Sequence, residues 1–225
     1  MELSTQTDVG AVRFGEEKTI RWICEAGFDA IDYSMFDITS EDAILNRKDY
    51  ESHALHLRKL AESYGCRFNQ THAPFPSHIP GDDEYNGKIK DYIIKAIEVA
   101  GILGAEDIVV HPSRFKNNDK QIILDFYRSL ESYAKQYGVK IALENMFGRD
   151  ARRGCIVENV CSNPTQLSEF ADELGKDNFT VCLDIGHCGL VGQDPAEFII
   201  KLGHDRLKAL HVHDNNFKED LHVWP

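Results

Sequence analysis

The feature of this sequence that most constrains its fold is a regular alternation of short apolar stretches with longer segments of helical hydrophobic spacing. Residues 84–103 illustrate the helical part, because Ile89, Ile93 and Ile97 recur on one side of a helix. A short apolar stretch, 107–111, follows directly, and the same unit returns about every 30 residues. This alternation is typical of βαβ units, so it predicts a parallel sheet with right-handed helical crossovers.

The alternation divides the chain into seven strands and six intervening helices, and glycine ends several of the helices. A long polar segment, 147–162, interrupts the alternation and is predicted to be a loop. The predicted strands lie within 1–9 and at 28–34, 66–72, 107–111, 139–144, 179–184 and 207–213. The predicted helices are 16–26, 49–64, 84–103, 120–137, 164–174 and 195–202.

Two architectures accommodate such a chain, an open doubly wound sheet and a closed barrel. An open sheet that binds phosphate needs a glycine-rich turn after its first strand, and no GxGxxG or GxxxxGK sequence follows residues 1–9. The strand endings favour a (β/α) TIM barrel, since a barrel gathers the carboxyl ends of its strands on one face. We predict a single domain, 1–225, of this class.

Composition narrows the class of partner. Twenty-five Lys and Arg against 37 Asp and Glu leave a net charge of −12, which disfavours nucleic acid. No apolar run approaches the ~18 residues of a membrane span, so a cytoplasmic protein without a membrane partner is predicted. The six cysteines form no CxxC pair and are predicted to be free thiols.

The strands from the third onward end in side chains that can bind a metal or carry a proton. One histidine at a strand end is usually an ordinary hydrogen-bonded residue, but a set of six on one barrel face favours a site. Because strand side chains alternate, these groups point into the barrel while their apolar neighbours face the helices. The six residues are His72, His111, Glu144, Asp184, His211 and His213.

Glu144 is the strongest single candidate, because it follows an apolar strand and a buried carboxylate is costly unless it is paired or metal-bound. Metal binding is therefore preferred to a structural salt bridge. Asp184 and His187 can both reach one cavity if the chain turns at Gly186, although Asp184 is also suited to cap a helix.

Asp220 and His222 form a short Asp-Leu-His sequence after the last strand and are weaker candidates for an additional metal. Carboxylate oxygen combined with imidazole suits Mn²⁺, Mg²⁺, Co²⁺ or Zn²⁺. The residues alone leave the identity of the metal open.

Several of these residues lie in motifs that resemble the xylose-isomerase-like TIM-barrel superfamily, which joins sugar phosphate isomerases and epimerases with the endonuclease IV type of DNA repair enzyme. The resemblance spans nearly the whole chain, and the order of the motifs is more specific than any one of them. The motifs are Thr71-His72-Ala73-Pro74, Val110-His111-Pro112, Leu143-Glu144-Asn145, Leu183-Asp184-Ile185-Gly186-His187 and Leu210-His211-Val212-His213-Asp214-Asn215.

The epimerase branch of the superfamily implies that Glu144, Asp184 and His211 bind the metal and that Glu144 is an acid/base in enediolate formation. His187 is implied to contact the substrate, a sugar or sugar phosphate, and we assign His72, His111 and His213 to substrate binding as well. A fourth ligand, a glutamate on an eighth strand, has no counterpart in this sequence.

The endonuclease branch implies a trinuclear zinc cluster instead, and a barrel that binds a metal or sugar without turnover is a third alternative. The ligand set does not separate these alternatives, whereas the acidic charge favours sugar chemistry. The endonuclease interpretation uses His72, His111, Glu144, Asp184, His187, His211, Asp220 and His222.

A barrel of this class needs a final strand and helix, about 40 residues more. The sequence is therefore expected to be a C-terminally truncated member that lacks the eighth strand and the last helix. Its first and seventh strands would then have unpaired edges, which predicts an open cleft or pairing with another chain, including a second copy.

Overall fold

The computed structural model describes residues 1–113 and 120–223. Seven parallel strands form one curled sheet in the order β1-β2-β3-β4-β5-β8-β9, so strands that follow one another along the chain are neighbours in the sheet. The prediction of a (β/α) TIM barrel without its last elements is confirmed. In the described part of the chain the sheet is open between β1 and β9.

The helices and strands agree with the predicted units to within a few residues. The strands are β1 Ser4–Gln6, β2 Ala30–Ser34, β3 Arg67–His72, β4 Asp107–Val110, β5 Lys140–Glu144, β6 Phe147–Asp150, β7 Cys155–Glu158, β8 Phe179–Asp184 and β9 Leu207–His211. The α-helices are α1 Asp8–Phe14, α2 Glu16–Glu25, α3 Tyr50–Ser63, α4 Asp83–Leu103, α5 Lys120–Tyr137, α6 Pro164–Leu174, α7 Ile185–Leu190 and α8 Pro195–Arg206. Two 3-10 helices, Phe36–Thr39 and Ile44–Asn46, follow β2.

The alternation of side chains along β5 separates two apolar regions. Ile141 and Leu143 pack in the large core between the sheet and the helices. Ala142 packs on the other face with Val109 and Cys182, in a small cluster inside the barrel. Glu144 lies two residues after Ala142, so its side chain faces the same way along β5. Because Glu144 is the last residue of the strand, it lies at the rim of the barrel, beyond this cluster.

The prediction of a loop over 147–162 is wrong over 147–158, where β6 and β7 pair as an antiparallel hairpin. Each strand has only four residues, and the apolar part of β7, Cys155 to Val157, is too short to stand out as a strand within a polar segment. The last strand also ends at His211, two residues earlier than predicted, and His213 follows it. The short helices α1 and α7 were not predicted.

The open edge of the sheet forms a cleft of about 240 Å³ between β1 and β9. Ser4, Thr5 and Gln6 line one side, and Leu210 and Val212 line the other. Among the described residues, no helix is both long enough and apolar enough to cross a bilayer.

Candidate metal centre

Glu144 lies at the centre of the strand-end residues and is almost completely buried, with 1% of its surface exposed. Its Oε2 is 2.8 Å from Nε2 of His111 and 3.7 Å from Nε2 of His72. Its Oε1 is 3.1 Å from Nδ1 of His211. One carboxylate thus faces imidazoles from three other strands.

The contact between Glu144 and His111 is short, but it lacks the geometry of a hydrogen bond. Oε2 of Glu144 is buried and has no hydrogen-bond partner among the described residues, although Nε2 of His111 is close. Oxygen and nitrogen atoms that lie close together without hydrogen-bonding one another keep their lone pairs free to bind a cation. The residues therefore fit a divalent metal.

Asp184 divides its two carboxylate oxygens between two roles. Oδ1 accepts a hydrogen bond of 2.7 Å from the backbone N–H of His187 and caps α7. Oδ2 faces the cavity, 3.0 Å from Nε2 of His213 and 3.7 Å from Nδ1 of His211. The helix-cap interpretation is thus correct, and it does not remove Asp184 from the cavity.

A second set of residues lies beyond His187, on the loop after β9. Oδ2 of Asp220 is 3.1 Å from Nε2 of His222 and 3.4 Å from Nε2 of His187. The His213 and His222 rings stack with centroids 3.9 Å apart. Nδ1 of His213 and Oδ1 of Asp220 are buried without a hydrogen-bond partner in the described part of the chain.

Every residue that the sequence marked as a site candidate is therefore brought to one face of the barrel. We call His72, His111, Glu144, Asp184 and His211 the inner cluster, and His213, Asp220 and His222 the outer cluster. Ligand atoms within 4.8 Å of one another occur in four sets, namely His72/His111/Glu144, Glu144/Asp184/His211, Asp184/His187/His213 and His213/Asp220/His222.

The profile of the xylose isomerase-like TIM barrel matches residues 20–225. The chain belongs to this family. An uncharacterized protein of Methanocaldococcus jannaschii, MJ1311, is 32% identical in an alignment of 181 positions that covers 75% of this chain and 58% of that protein. A probable endonuclease 4 of Ureaplasma urealyticum is 30% identical in an alignment of 158 positions that covers 64% of this chain and 50% of that protein.

A solved structure described as a D-tagatose 3-epimerase-like protein is also similar to this xylose isomerase-like chain. The two are 28% identical with a TM-score of 0.73, and the match covers 99% of this chain and 79% of the other. The chain spans 58% and 50% of the lengths of the two curated relatives named above. The family thus includes sugar epimerases and endonuclease 4 proteins.

Burial and charge act against each other on the carboxylates of this xylose isomerase-like barrel. Burial raises the pKa of Glu144, but His211 and His111 outweigh it, and the pKa lies well below the usual range. Burial also raises the pKa of Asp184, but hydrogen bonds from His211 and His213 lower it overall. Both side chains are therefore anionic, as metal ligands must be.

The histidines respond in opposite directions. Burial lowers the pKa of His111, so this ring stays neutral near pH 7. Burial also lowers the pKa of His187, but Asp220 and Asp184 outweigh it and raise the value to about 9. His187 therefore carries a proton in the metal-free protein, whereas His111 has a free lone pair.

Asn145 is a site residue that sequence reasoning did not single out, although it lies in a motif noted above. Its Nδ2 donates to the backbone oxygen of Asp184 at 2.8 Å, and its Oδ1 accepts from the backbone N–H of Asp184 at 2.7 Å. Asn145 thereby fixes the end of β8 against the end of β5. The pairing is visible only in three dimensions, since the two residues are 39 positions apart.

Gly186 brings His213 close to the turn after β8. A Cβ atom at this position would overlap the His213 ring, so only glycine allows the observed approach. Aromatic rings were also missed by sequence reasoning. Phe75 lies 4.8 Å from the His111 ring and Phe147 lies 5.0 Å from the His187 ring, each measured between centroids.

Proposed function

We propose that this chain provides the catalytic site of a divalent-metal-dependent sugar isomerase or epimerase. The observation that carries the proposal is the set formed by Glu144, Asp184 and His211, whose ligand atoms meet at the carboxyl ends of three adjacent strands. The similarity to the D-tagatose 3-epimerase-like structure over 99% of this chain supports the sugar class.

Glu144, Asp184 and His211 are the residues that would hold the metal, and their mixed oxygen and nitrogen donors suit Mn²⁺, Mg²⁺, Co²⁺ or Zn²⁺. A bound divalent metal supplies Lewis acidity toward the carbonyl oxygen of a sugar. The unpartnered Oε2 of Glu144 supports a cation beside this carboxylate, because a buried anionic oxygen without a hydrogen-bond partner is costly.

Glu144 is also the proposed base. Its anionic carboxylate takes a proton from the carbon beside the sugar carbonyl, and the electron pair of the broken C–H bond moves to the carbonyl oxygen to give an enediolate of the substrate. An acid then returns a proton to that carbon or its neighbour. The resemblance implies a glutamate on an eighth strand for this step.

The histidines around Glu144 are proposed to bind sugar hydroxyls. His111 is neutral and can donate and accept, whereas protonated His187 can only donate. His72 and His213 lie on either side of them at the rim. Phe75, 46% exposed beside His111, offers an apolar face to the carbon side of a sugar.

The test uses the 225-residue chain loaded in turn with each of the four metals and incubated with ketohexoses in D₂O. We expect deuterium at the carbon beside the carbonyl, detected by mass spectrometry, and an epimer or aldose, detected by chromatography. Metal-loaded protein that binds sugar yet incorporates no deuterium would favour the binding function without turnover.

A second function, cleavage of abasic DNA by an endonuclease IV-like zinc phosphodiesterase, is favoured by one observation. Two further ligand sets share a residue with Glu144/Asp184/His211. They are His72/His111/Glu144, which shares Glu144, and Asp184/His187/His213, which shares Asp184. The net charge of −12 opposes it. Three tightly bound zinc ions together with cleavage of an abasic oligonucleotide would replace the sugar assignment.

A further inference from the structure

The hairpin formed by β6 and β7 concentrates positive charge in an acidic protein. It contains Arg149, Arg152 and Arg153, whereas the whole chain has a net charge of −12. The hairpin begins three residues after Glu144, the last residue of β5. It therefore stands at the carboxyl ends of the barrel strands, on the same face as the inner and outer clusters.

The pairing of the hairpin shows which way Arg149 leaves it. Arg149 lies two residues after Phe147 on β6, and Glu158 is directly opposite Phe147, so the three side chains share one face of the hairpin. The Phe147 ring is 5.0 Å from the His187 ring, and Oε1 of Glu158 accepts a hydrogen bond of 3.4 Å from Nε2 of Gln193. This face is therefore turned toward α7 and the rim of the cavity.

Hydrogen bonds fix the hairpin at its base and at its tip. At the base, Nδ2 of Asn159 donates to the backbone oxygen of Phe147 at 3.1 Å. At the tip, Oδ1 of Asp150 accepts from the backbone N–H groups of Arg152 and Arg153 at 2.9 and 3.1 Å. These two N–H groups are thus already used, and an anion beside the hairpin has to be bound by side chains.

Arg149 has its guanidinium group available for such an anion. It is exposed and forms no ion pair with any residue in 1–113 or 120–223. Nε of Arg153, by contrast, is 3.6 Å from Oδ2 of Asp150. Four other arginines also pair with carboxylates, namely Arg58, Arg67, Arg128 and Arg206.

The anion that best fits Arg149 is a phosphate group. The planar guanidinium fork matches the oxygens of phosphate in a bidentate contact. Glu144 and Asp184 are anionic and repel a phosphate at the bottom of the cavity, so the phosphate of a bound ligand lies at the rim. Arg149 is about 7 Å of strand beyond Phe147, on the outward side of the site.

We propose that Arg149 binds the terminal phosphate of a sugar phosphate and so determines specificity for a phosphorylated substrate. This inference rests on the proposed function, which places the sugar carbonyl at the inner cluster. Arg152 and Arg153 add positive potential at the tip of the hairpin, which attracts an anionic ligand to a protein that otherwise repels it.

The test measures by calorimetry how the Mn²⁺-loaded chain binds D-fructose 6-phosphate and D-fructose. The parent protein should bind the phosphate ester at least about tenfold more tightly than the free sugar, since the charged contact is present only with the ester. Arg149→Gln should bind the ester about 10- to 100-fold more weakly and change the affinity for D-fructose by about twofold at most. A parent protein without preference for the ester would overturn the inference.

Two further variants separate a direct contact from a general effect of charge. Arg128→Gln removes the same charge from α5, where Arg128 pairs with Asp125, and should bind both ligands like the parent. Arg149→Lys keeps the charge but lacks the fork, so its loss of affinity for the ester should be smaller than that of Arg149→Gln. Equal losses in Arg128→Gln and Arg149→Gln would mean that the ester responds only to net charge, which contradicts the inference.

Deuterium incorporation from D₂O distinguishes this inference from the proposed function. Arg149-dependent binding of D-fructose 6-phosphate without deuterium incorporation supports the phosphate site and contradicts turnover. Incorporation into the ester, below saturation, at the same rate in Arg149→Gln and the parent contradicts the phosphate site alone. Arg149-dependent binding of an abasic oligonucleotide, with no binding of the ester, overturns the inference in favour of nucleic acid.

Discussion

The inner and outer clusters both combine histidines with carboxylates but are held in different ways. Side chains of the inner cluster are 1–13% exposed and stand on or directly after parallel strands. In the outer cluster, the side chains of Asp220 and His222 are 24% and 52% exposed and belong to a loop. The comparison shows that the sheet holds the side chains of the inner cluster in place before any ligand binds, whereas the positions of Asp220 and His222 in the outer cluster depend on the conformation of the loop.

That loop is tied to the barrel by side chains rather than by the sheet, for example by Nδ2 of Asn215, which donates to the backbone oxygen of Gly186 at 2.8 Å. Asp214 and Val223 form an isolated antiparallel bridge, with backbone bonds of 2.8 and 3.1 Å. His222 has φ of 47°, a left-handed conformation that costs a non-glycine residue free energy. We therefore expect the inner cluster to bind metal more tightly than the outer cluster.

The largest effect should follow Glu144→Gln, since this residue contributes to two ligand sets and is the proposed base. We expect a loss of activity of about 1,000-fold or more and loss of tight metal binding. Glu158→Gln, an exposed glutamate on β7, is the control and should behave like the parent. Metal content by mass spectrometry that is equal in all three proteins would remove Glu144 from the site.

The next largest effect concerns the support of the inner cluster. Asn145→Ala leaves the backbone N–H of Asp184 buried without its partner, at a cost of about 1–3 kcal/mol, and removes one of the two side-chain donors to the Asp184 backbone oxygen, the other being Sγ of Cys188. Urea denaturation should therefore show a loss of about 2–4 kcal/mol in the free energy of unfolding.

Asn178→Ala provides the matched comparison, because Asn178 bonds through its side chain to the partly exposed Glu131. Its cost should be about 1 kcal/mol or less. Similar losses for the two variants would mean that the inner cluster is no better supported than the surface.

A smaller effect is expected from His222→Ala, which removes an outer ligand. The affinity of the inner cluster should change by about twofold at most, because His222 stacks on His213, which in turn contacts Asp184, so the effect on the inner cluster is indirect. A calorimetric titration of the His222→Ala protein should lack the binding event of the most weakly bound metal ion. A large loss of inner affinity would instead show that the two clusters act as one site.

The smallest expected effect is on the free energy of unfolding, and it concerns a histidine–carboxylate pair that lies outside both clusters. Nε2 of His53 on α3 is 2.6 Å from Oε2 of Glu16 on α2, and this hydrogen bond raises the pKa of His53. The raised pKa means that the stabilisation is complete below the unfolded value of about 6.5 and is lost as the pH rises through the folded value.

Substitution His53→Gln should therefore lower the free energy of unfolding by about 1 kcal/mol at pH 6 and have a much smaller effect at pH 9. Urea denaturation at the two pH values measures the difference. An effect that is the same at both values would show that charge has no part in this contact.

The strand endings could be predicted from the sequence, because parallel strands of a barrel must meet at one face and the candidate ligands follow apolar runs directly. His72, Glu144 and Asp184 were identified in this way. The hairpin 147–158 could not be predicted, since each of its strands has only four residues and strands this short depend on pairing for their stability.

The supporting residues escaped prediction for another reason. Asn145, Gln70 and Asp32 have ordinary sequence surroundings, and each contacts a partner on a different strand. The spacing along the chain that reveals a helix or strand carries no information about such pairs. These contacts are visible only from the distances across the barrel.

The two roles of Asp184 limit how this site can change during evolution. The same carboxylate starts α7 and faces the cavity, and His187 lies within the first turn of that helix. One residue inserted between them would rotate His187 by about 100° around the helix axis. Insertions should therefore be tolerated in the hairpin turn at 151–154 but selected against in the three positions after Asp184, whatever reaction the protein performs.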